Sequence, residues 1–259
     1  MKEYDINAID TISGKQIQAN ESFNFKCHSG LSCFTQCCHN INLFLHPYDV
    51  IRLTKNLNIS SDQFLDSYTD VILREGNFFP DVLLKMTDQK NHPCPFLHDN
   101  GCSVYLDRPE TCRSFPLEQG IICDHQKNQR ETIYFFRPRD FCLGPQETTA
   151  WTPKTWLKDQ HAEKYTKMAI EWASLKYLFR DNPWGQEGPY GPKARMAFMA
   201  IYNRDSFKSF VFQSSFLKRF KVKTKTISQI KKDDVEFIHF AFDWVKLFLW
   251  GISSPRIKT

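Results

Sequence analysis

The segment "FKCHSGLSCFTQCCHN", Phe25 to Asn40, carries Cys27, Cys33 and the adjacent pair Cys37 and Cys38. Thiols serve as nucleophiles, redox groups and soft metal ligands. Neighbouring cysteines rarely bridge each other, because a disulfide needs a Cα separation and side-chain direction that an ordinary trans peptide does not supply. The doublet is therefore chance, the start of two disulfides to distant partners, or a pair of metal ligands. Five more cysteines follow, Cys94, Cys102, Cys112, Cys123 and Cys142, giving nine in all. The opening residues, "MKEYDINAIDTISGKQ", hold no basic stretch followed by an apolar core, so no secretory signal is expected and a cytoplasmic location is. In a reducing compartment, an odd set of nine thiols reads as metal ligands before it reads as a disulfide framework. Buried free thiols would explain one isolated cysteine, such as Cys123, but not a doublet with further cysteines at turns.

The elements that must position these thiols are legible in part. "CPFLHDNGCSVYL", Cys94 to Leu106, predicts a hairpin turning at Asp99-Asn100-Gly101, with Cys94 opening one arm and Cys102 the return. "DRPETCRSF" predicts a helical turn with Asp107 as cap and Pro109 just inside, carrying Cys112. Hairpin and turn can bring three thiolates together, and the first segment folded back over them adds up to four more. Between Cys38 and Cys94, "NINLFL" reads as a strand and "HPYDVIRLTKNLN" as a helix with Pro47 near its start. "SSDQFLDSYTDVIL" reads as a second helix capped by Ser60 or Ser61. "DVLLKMT" and "ETIYFFR" read as strands. Gathered thiolates repel one another and basic neighbours stabilise them. Arg108 and Arg113, which flank Cys112, are the candidate cofactor-binding residues, with ordinary surface arginines as the equal alternative; Lys26 precedes Cys27. His28, His39, His92 and His98 lie beside cysteines, and His39 leads them as a supporting or ligating group.

The pattern C-x5-C-x3-CC, then "CPFLHDNGCSVYLDRPETCRSFP", then "FCLG" at Cys142, resembles the YkgJ-type cysteine-cluster family, the CxxCxxCC group, associated with zinc or iron chelation. The resemblance spans roughly residues 25 to 147. It implies a metal site with Cys27, Cys33, Cys37, Cys38, Cys94, Cys102, Cys112 and Cys142 as ligands. The interval from Cys27 to Cys33 is longer than the family's, and Cys123 is extra to it. Eight thiols suit two tetrahedral four-thiolate sites, or one iron–sulfur cluster with other thiols nearby. Zinc knuckles usually place two cysteines two to four residues apart, and here only Cys33 and Cys37 come close. Dispersed single cysteines tilt the reading toward an iron–sulfur cluster, with zinc or iron ions as the alternative. Similar cysteine motifs in the flagellin lysine-N-methylase family point the same way by analogy.

Composition bounds the rest. The chain has 259 residues, 41% hydrophobic and 15% aromatic, enough for one large or two modest domains with real cores. The expected class is α+β: a cysteine-cluster metal-binding domain over 1–147 and a helical region over 148–259, since no cysteine follows Cys142. In the second part, "DQHAEKYTKMAIEWASLKYLFRD" aligns Tyr165, Met168, Ala169, Trp172, Leu175, Leu178 and Phe179 on one face. "PKARMAFMAIYNRDSFKSFVFQSSFL" predicts one long or two short helices. A last, mostly buried helix begins at Asp233-Asp234, with Glu236, His239, Asp243 and Lys246 as its polar stripe. "KRFKVKTKTI", Lys218 to Ile227, alternates with period two and reads as an edge strand with one basic face. A net charge of +5 is too small to call for nucleic acid, and no apolar run is long enough to span a membrane. Nucleotide and hydrolase motifs are missing. Partners are therefore an unidentified protein or small molecule. The expected function is metal binding that serves redox chemistry, metal handling or a modification reaction; the alternative is a structural zinc module in a binding or assembly factor.

Overall fold

The computed structural model describes residues 2–5, 14–124 and 129–259. The architecture is α+β, with short strands and with helices concentrated toward the C-terminus. Contacts gather the chain into two compact units, each made of two stretches: 1–43 with 85–173, and 44–84 with 174–259. All eight described cysteines fall in the first unit. The division at 147/148 marks where cysteines stop along the chain, whereas these units mark which residues pack together.

The first unit is built on a four-stranded sheet. Lys2–Asp5 pairs parallel with Leu117–Asp124, which pairs antiparallel with Gln129–Phe136, which in turn pairs with Lys15–Ile17. "TIYFF" alternates along Gln129–Phe136, so Ile133 and Phe135 are buried while Thr132, Tyr134 and Phe136 are less so. An aromatic core joins Ile17, Phe23, Phe25, Leu117 and Trp156, with Phe115, Trp151 and Cys142 packed on it. Trp156 stands edge-on to Phe25 at 5.3 Å and donates its indole N–H to the Ser114 carbonyl at 2.9 Å. Trp151 donates its own to the Phe25 carbonyl at 2.8 Å. Burying each such ring stabilises by roughly 1.5–3 kcal/mol, and the indole bonds fix its direction. This core holds the backbone just before Cys27 against the segment that carries Cys142.

The second unit has a small sheet, Phe44–Leu45 beside Asp81–Leu84 beside Thr69–Ile72. Its helices include Pro47–Leu57 and Ser61–Tyr68, the latter capped by Ser60, whose hydroxyl accepts from the Gln63 N–H. The second of these stops at Tyr68, and "TDVI" leaves as a strand because Thr69, Val71 and Ile72 favour extended backbone. The "PKARM…SFL" segment forms three helices, Pro192–Tyr202, Arg204–Gln213 and Phe216–Arg219, broken at Asn203 and at Ser214-Ser215. Asp234–Trp250 is the central helix: Asp233 caps it by accepting from the N–H groups of Val235 and Glu236, and Gly251 ends it at φ 68°. Phe237, Phe240, Trp244 and Val245 on it are buried, while Glu236, His239, Asp243 and Lys246 are only half-buried. The period-two reading of "KRFKVKTKTI" is corrected. Only Lys221–Val222 is a strand, paired with Ile257–Lys258, and Thr224–Lys232 is a helix. Its buried residues, Thr226 and Ile230, are four apart, which is helical spacing that the alternating lysines obscured. Among the described residues no helix is long and apolar enough to cross a membrane.

Candidate metal centre

Cys33, Cys37 and Cys38 are set by consecutive tight turns. The Gln36 N–H donates to the Cys33 carbonyl at 3.0 Å, and the Cys38 N–H to the Thr35 carbonyl at 2.8 Å. Gln36–Cys38 is one three-ten turn whose preceding residue, Thr35, has φ 65°. A left-handed conformation at a β-branched residue costs roughly 1–2 kcal/mol, and the turn offsets this through two bonds to the Thr35 carbonyl. The second comes from His39 Nδ1 at 3.2 Å. A carbonyl only accepts, so this nitrogen carries a proton.

The late cysteine is brought to this turn by backbone contacts. The Leu143 N–H donates to Cys33 Sγ at 3.2 Å, and the Lys26 N–H donates to the Gly144 carbonyl at 3.1 Å. Gly144 is a close-approach glycine, since a Cβ there would stand 2.5 Å from the Phe25 ring. Cys33 lies near enough to Cys142, and Cys38 to Cys37, to raise those thiols. Cys27 is exposed by surface area, yet partial burial and then Cys37, Cys142 and Cys33 push it up to about 11. Cys37 is raised by its hydrogen bond to Cys38 and then by burial, with Arg139 pulling the other way. Burial raises Cys142, and Cys33 and Cys37 add to it against the Gly144 N–H.

The remaining thiols cluster around the hairpin. The Cys94 N–H donates to the Cys38 carbonyl at 2.8 Å, next to an antiparallel bridge between His39 and Pro93. The strands Leu97–His98 and Gly101–Cys102 form the predicted hairpin, with Gly101 at φ 110°. Cys94 is pushed up to about 11 by burial, against the Phe96 N–H and with Cys102 adding to it. Cys112 is exposed on the helix Glu110–Ser114. Pro109, not Asp107, stands at that helix's cap; Asp107 closes a separate three-ten turn, Tyr105–Asp107. Two proline-compatible turns in series explain the shift, because Pro109 fixes its own φ and cannot donate.

Both arginines named from the sequence are buried here. Arg108 donates to the Tyr105 carbonyl at 2.7 Å and to Gln160 Oε1 at 2.6 Å, and it lies 4.0 Å from the Tyr105 ring centre. Its charge acts on Cys102 and Cys112. Burial raises Cys102, and the Val104 N–H and Arg108 lower it. Arg113 donates to the carbonyls of Gln160 and Leu106 and stacks 4.2 Å from the Tyr165 ring centre, so its visible contacts hold the local scaffold. His28 faces Glu147 at 3.6 Å, and His92 Nδ1 meets the Thr87 carbonyl at 3.1 Å. Cys123 stands opposite Arg130 on Leu117–Asp124, and its side chain lies outside the described residues. Arg139, beside Cys37, was not picked out from the sequence. Its only signal was its place in "RPRDFC", three residues before Cys142.

The donors are gathered but not closed. Among the described residues no group of three or more His, Cys, Asp or Glu side chains is arranged to hold a metal ion. The donor chemistry nevertheless fits a soft cation. Thiolates are soft ligands, and a cation that binds them displaces the protons that burial favours on Cys27, Cys37 and Cys142. A tetrahedral zinc site with sulfurs at about 2.3 Å has sulfur–sulfur edges of about 3.8 Å, the span of a thiol–thiol contact.

A family model named CxxCxxCC and described as "putative zinc- or iron-chelating domain" matches residues 26–155, half of the chain. No curated protein and no solved structure matched the chain.

Proposed function

The chain belongs to the CxxCxxCC family of zinc- or iron-chelating domains, and from that premise we propose that its gathered thiols hold an iron–sulfur cluster, or iron or zinc ions. The proposed ligands are Cys27, Cys33, Cys37, Cys38, Cys94, Cys102, Cys112 and Cys142. The observation that carries this reading is that all eight described cysteines lie in one compact unit, where the Leu143 N–H donates to Cys33 Sγ and the Cys94 N–H to the Cys38 carbonyl. When bound, the metal supplies thiolate-ligated redox or Lewis-acid chemistry. The residues of the chain supply the ligands, and Arg108 and Arg139 supply positive charge beside them. Dispersed ligands from separate turns favour the iron–sulfur form, serving redox chemistry, metal handling or a modification reaction.

A structural zinc module in a binding factor is the second reading. It is favoured by exposed apolar side chains beside the cysteines: Leu106 at 80% exposure, Tyr105 at 56% and Phe141 at 44%. Such a set suits a protein contact. Anaerobic purification under reducing conditions, with iron, zinc and sulfide analysis and an absorption spectrum, separates the two. A brown protein with iron and sulfide supports the first reading and a colourless zinc protein the second. A folded, reduced protein with neither metal rules out both.

A further inference from the structure

The second unit carries its positive charge on one stretch that holds no acid. Between Leu217 and Asp233 stand six lysines and one arginine with no Asp or Glu among them, and the last nine residues add Arg256 and Lys258, again without an acid. The chain has 34 basic and 29 acidic residues, so without these nine it would be acidic by four. The pairing of Lys221–Val222 with Ile257–Lys258 joins the two segments. We infer that this face docks the protein on an anionic membrane surface through the phosphate headgroups of acidic lipids, independently of the metal centre.

Protection of a sheet edge does not account for these charges. The strand is two residues long, and Lys225, Lys231 and Lys232 stand instead on the helix Thr224–Lys232. Lys221 stands directly opposite Lys258 in the ladder. Like charges so placed destabilise a strand pair. All of these lysines are exposed. Among the described residues no carboxylate pairs with Lys218, Lys221, Lys223, Lys225, Lys232 or Lys258. The acids that follow in the chain are engaged elsewhere. Asp233 accepts from the N–H groups of Val235 and Glu236, Asp234 pairs with Lys55 at 2.7 Å and Arg204 at 3.2 Å, and Asp243 pairs with Arg256 at 3.0 Å.

Three features favour a lipid surface over another polyanion. The charges are lysines, apart from Arg219 and the paired Arg256. Lysine is a compact charge on a flexible stem, suited to a fluid array of phosphates, whereas protein interfaces and base readout favour the planar guanidinium. The rings beside the lysines, Phe216 and Phe220, are buried and half-buried, so they offer no platform on which bases could stack. Exposed apolar side chains lie close by instead: Phe248 at 37% exposure and Ile252 at 46%. Phe248 stacks on Trp244 at 4.8 Å, Trp244 meets Phe216 at 5.9 Å, and Phe216 meets Phe220, between Arg219 and Lys221, at 4.7 Å. Ile252 is two residues from Ser254, whose N–H donates to the Ile257 carbonyl at 3.1 Å, next to Lys258. Lysines with a few apolar neighbours suit the interface of an acidic bilayer, with the charges at the headgroups and the apolar groups at the acyl boundary.

The test is flotation of the full chain, as purified, with vesicles of phosphatidylcholine alone or of phosphatidylcholine mixed with phosphatidylglycerol. Binding is expected to the mixed vesicles only, weakening about ten-fold or more as salt is raised from roughly 0.05 to 0.5 M. Lys221→Gln combined with Lys223→Gln and Lys225→Gln should weaken it on the order of 100-fold, since each lysine near such a surface is worth a factor of about five. Ile252→Ser should weaken it a few-fold and leave its salt dependence unchanged. Circular dichroism checks that the variants fold, and the comparison of the two vesicles needs no variant. Binding to neither vesicle, equal binding to both, or binding untouched by the triple substitution overturns the proposal. Tighter binding to duplex DNA or to polyglutamate than to mixed vesicles at equal anionic charge also overturns it, and assigns the face to nucleic acid or to an acidic protein.

Discussion

Cys38 lies opposite Cys94 across an antiparallel bridge, with the Cys94 N–H donating to the Cys38 carbonyl at 2.8 Å. Two cysteines far apart in the chain are thereby joined backbone to backbone. The segment between them leaves to build part of the second unit and returns at Lys85. Pre-pairing of this kind lowers the entropy that a metal must overcome to close a long loop.

Metal removal should loosen the cysteine-bearing turns selectively. They have few buried apolar residues of their own, so ligand binding there counts as folding energy. Chelation under reducing conditions is expected to raise amide exchange across Cys94 to Cys112. Amides from Phe237 to Leu249 should stay protected, since their helix is buried by Phe, Trp and Val packing. Uniform loss along the chain would show that metal supports both units alike.

Gly144→Ala should destabilise the first unit. The added methyl would meet the buried Phe25 ring at 2.5 Å and the Lys26 carbonyl at 3.1 Å. Overpacking of this kind costs roughly 1–3 kcal/mol. The displacement falls on the contact that brings Cys27 to Cys142, so metal affinity should fall with stability. Urea unfolding of the metal-free chain, beside metal titration, checks both.

Arg108→Met should slow alkylation of Cys102 in the metal-free, reduced chain by a few-fold, because removing the nearby positive charge lowers the thiolate fraction. Arg139→Met should slow Cys37 and leave Cys102 unchanged. Peptide-resolved alkylation rates report both. Equal effects of the two variants on both cysteines would contradict the separate placement of the arginines.

How much of this was legible from the sequence depended on range. The hairpin at Asp99-Asn100-Gly101 and the helix start at Asp233 follow from short-range chemistry, namely a turn glycine and a carboxylate that accepts N–H bonds. The doublet marked chemistry because its geometry excludes the simplest bridge. The Cys38–Cys94 pairing was not legible, since no local pattern encodes which distant residue a single bridge will meet. Arg139 was hidden for the same reason. "KRFKVKTKTI" misled because lysines occupy alternate positions along an exposed stretch, while the residues that decide its shape, Thr226 and Ile230, keep helical spacing. A compact unit made of two separated stretches also leaves no single compositional boundary along the chain.

The second unit should lose stability in acid through Asp234. Burial works to raise this carboxyl, but the hydrogen bond from Lys55 and the charges of Arg204, Lys55 and Lys208 outweigh it and hold it below its usual range. A group depressed in the folded state contributes stability above its unfolded pKa, and that contribution is lost as pH falls through the folded value. Asp234→Asn should therefore cost about 1–2 kcal/mol near neutrality and much less in acid below the folded carboxyl's own titration. Urea midpoints at the two pH values measure the difference; an equal cost at both would mean that the pairs with Lys55 and Arg204 are not the source.

The most direct measurement of the central claim is X-ray absorption at the zinc or iron edge on anaerobically purified full-length protein. The account predicts a first shell made of sulfur, near 2.3 Å for zinc (about four neighbours per ion), and its loss with the metal in Cys33→Ser combined with Cys102→Ser. A first shell of nitrogen or oxygen at about 2.0–2.2 Å, unchanged by those substitutions, would contradict thiolate ligation.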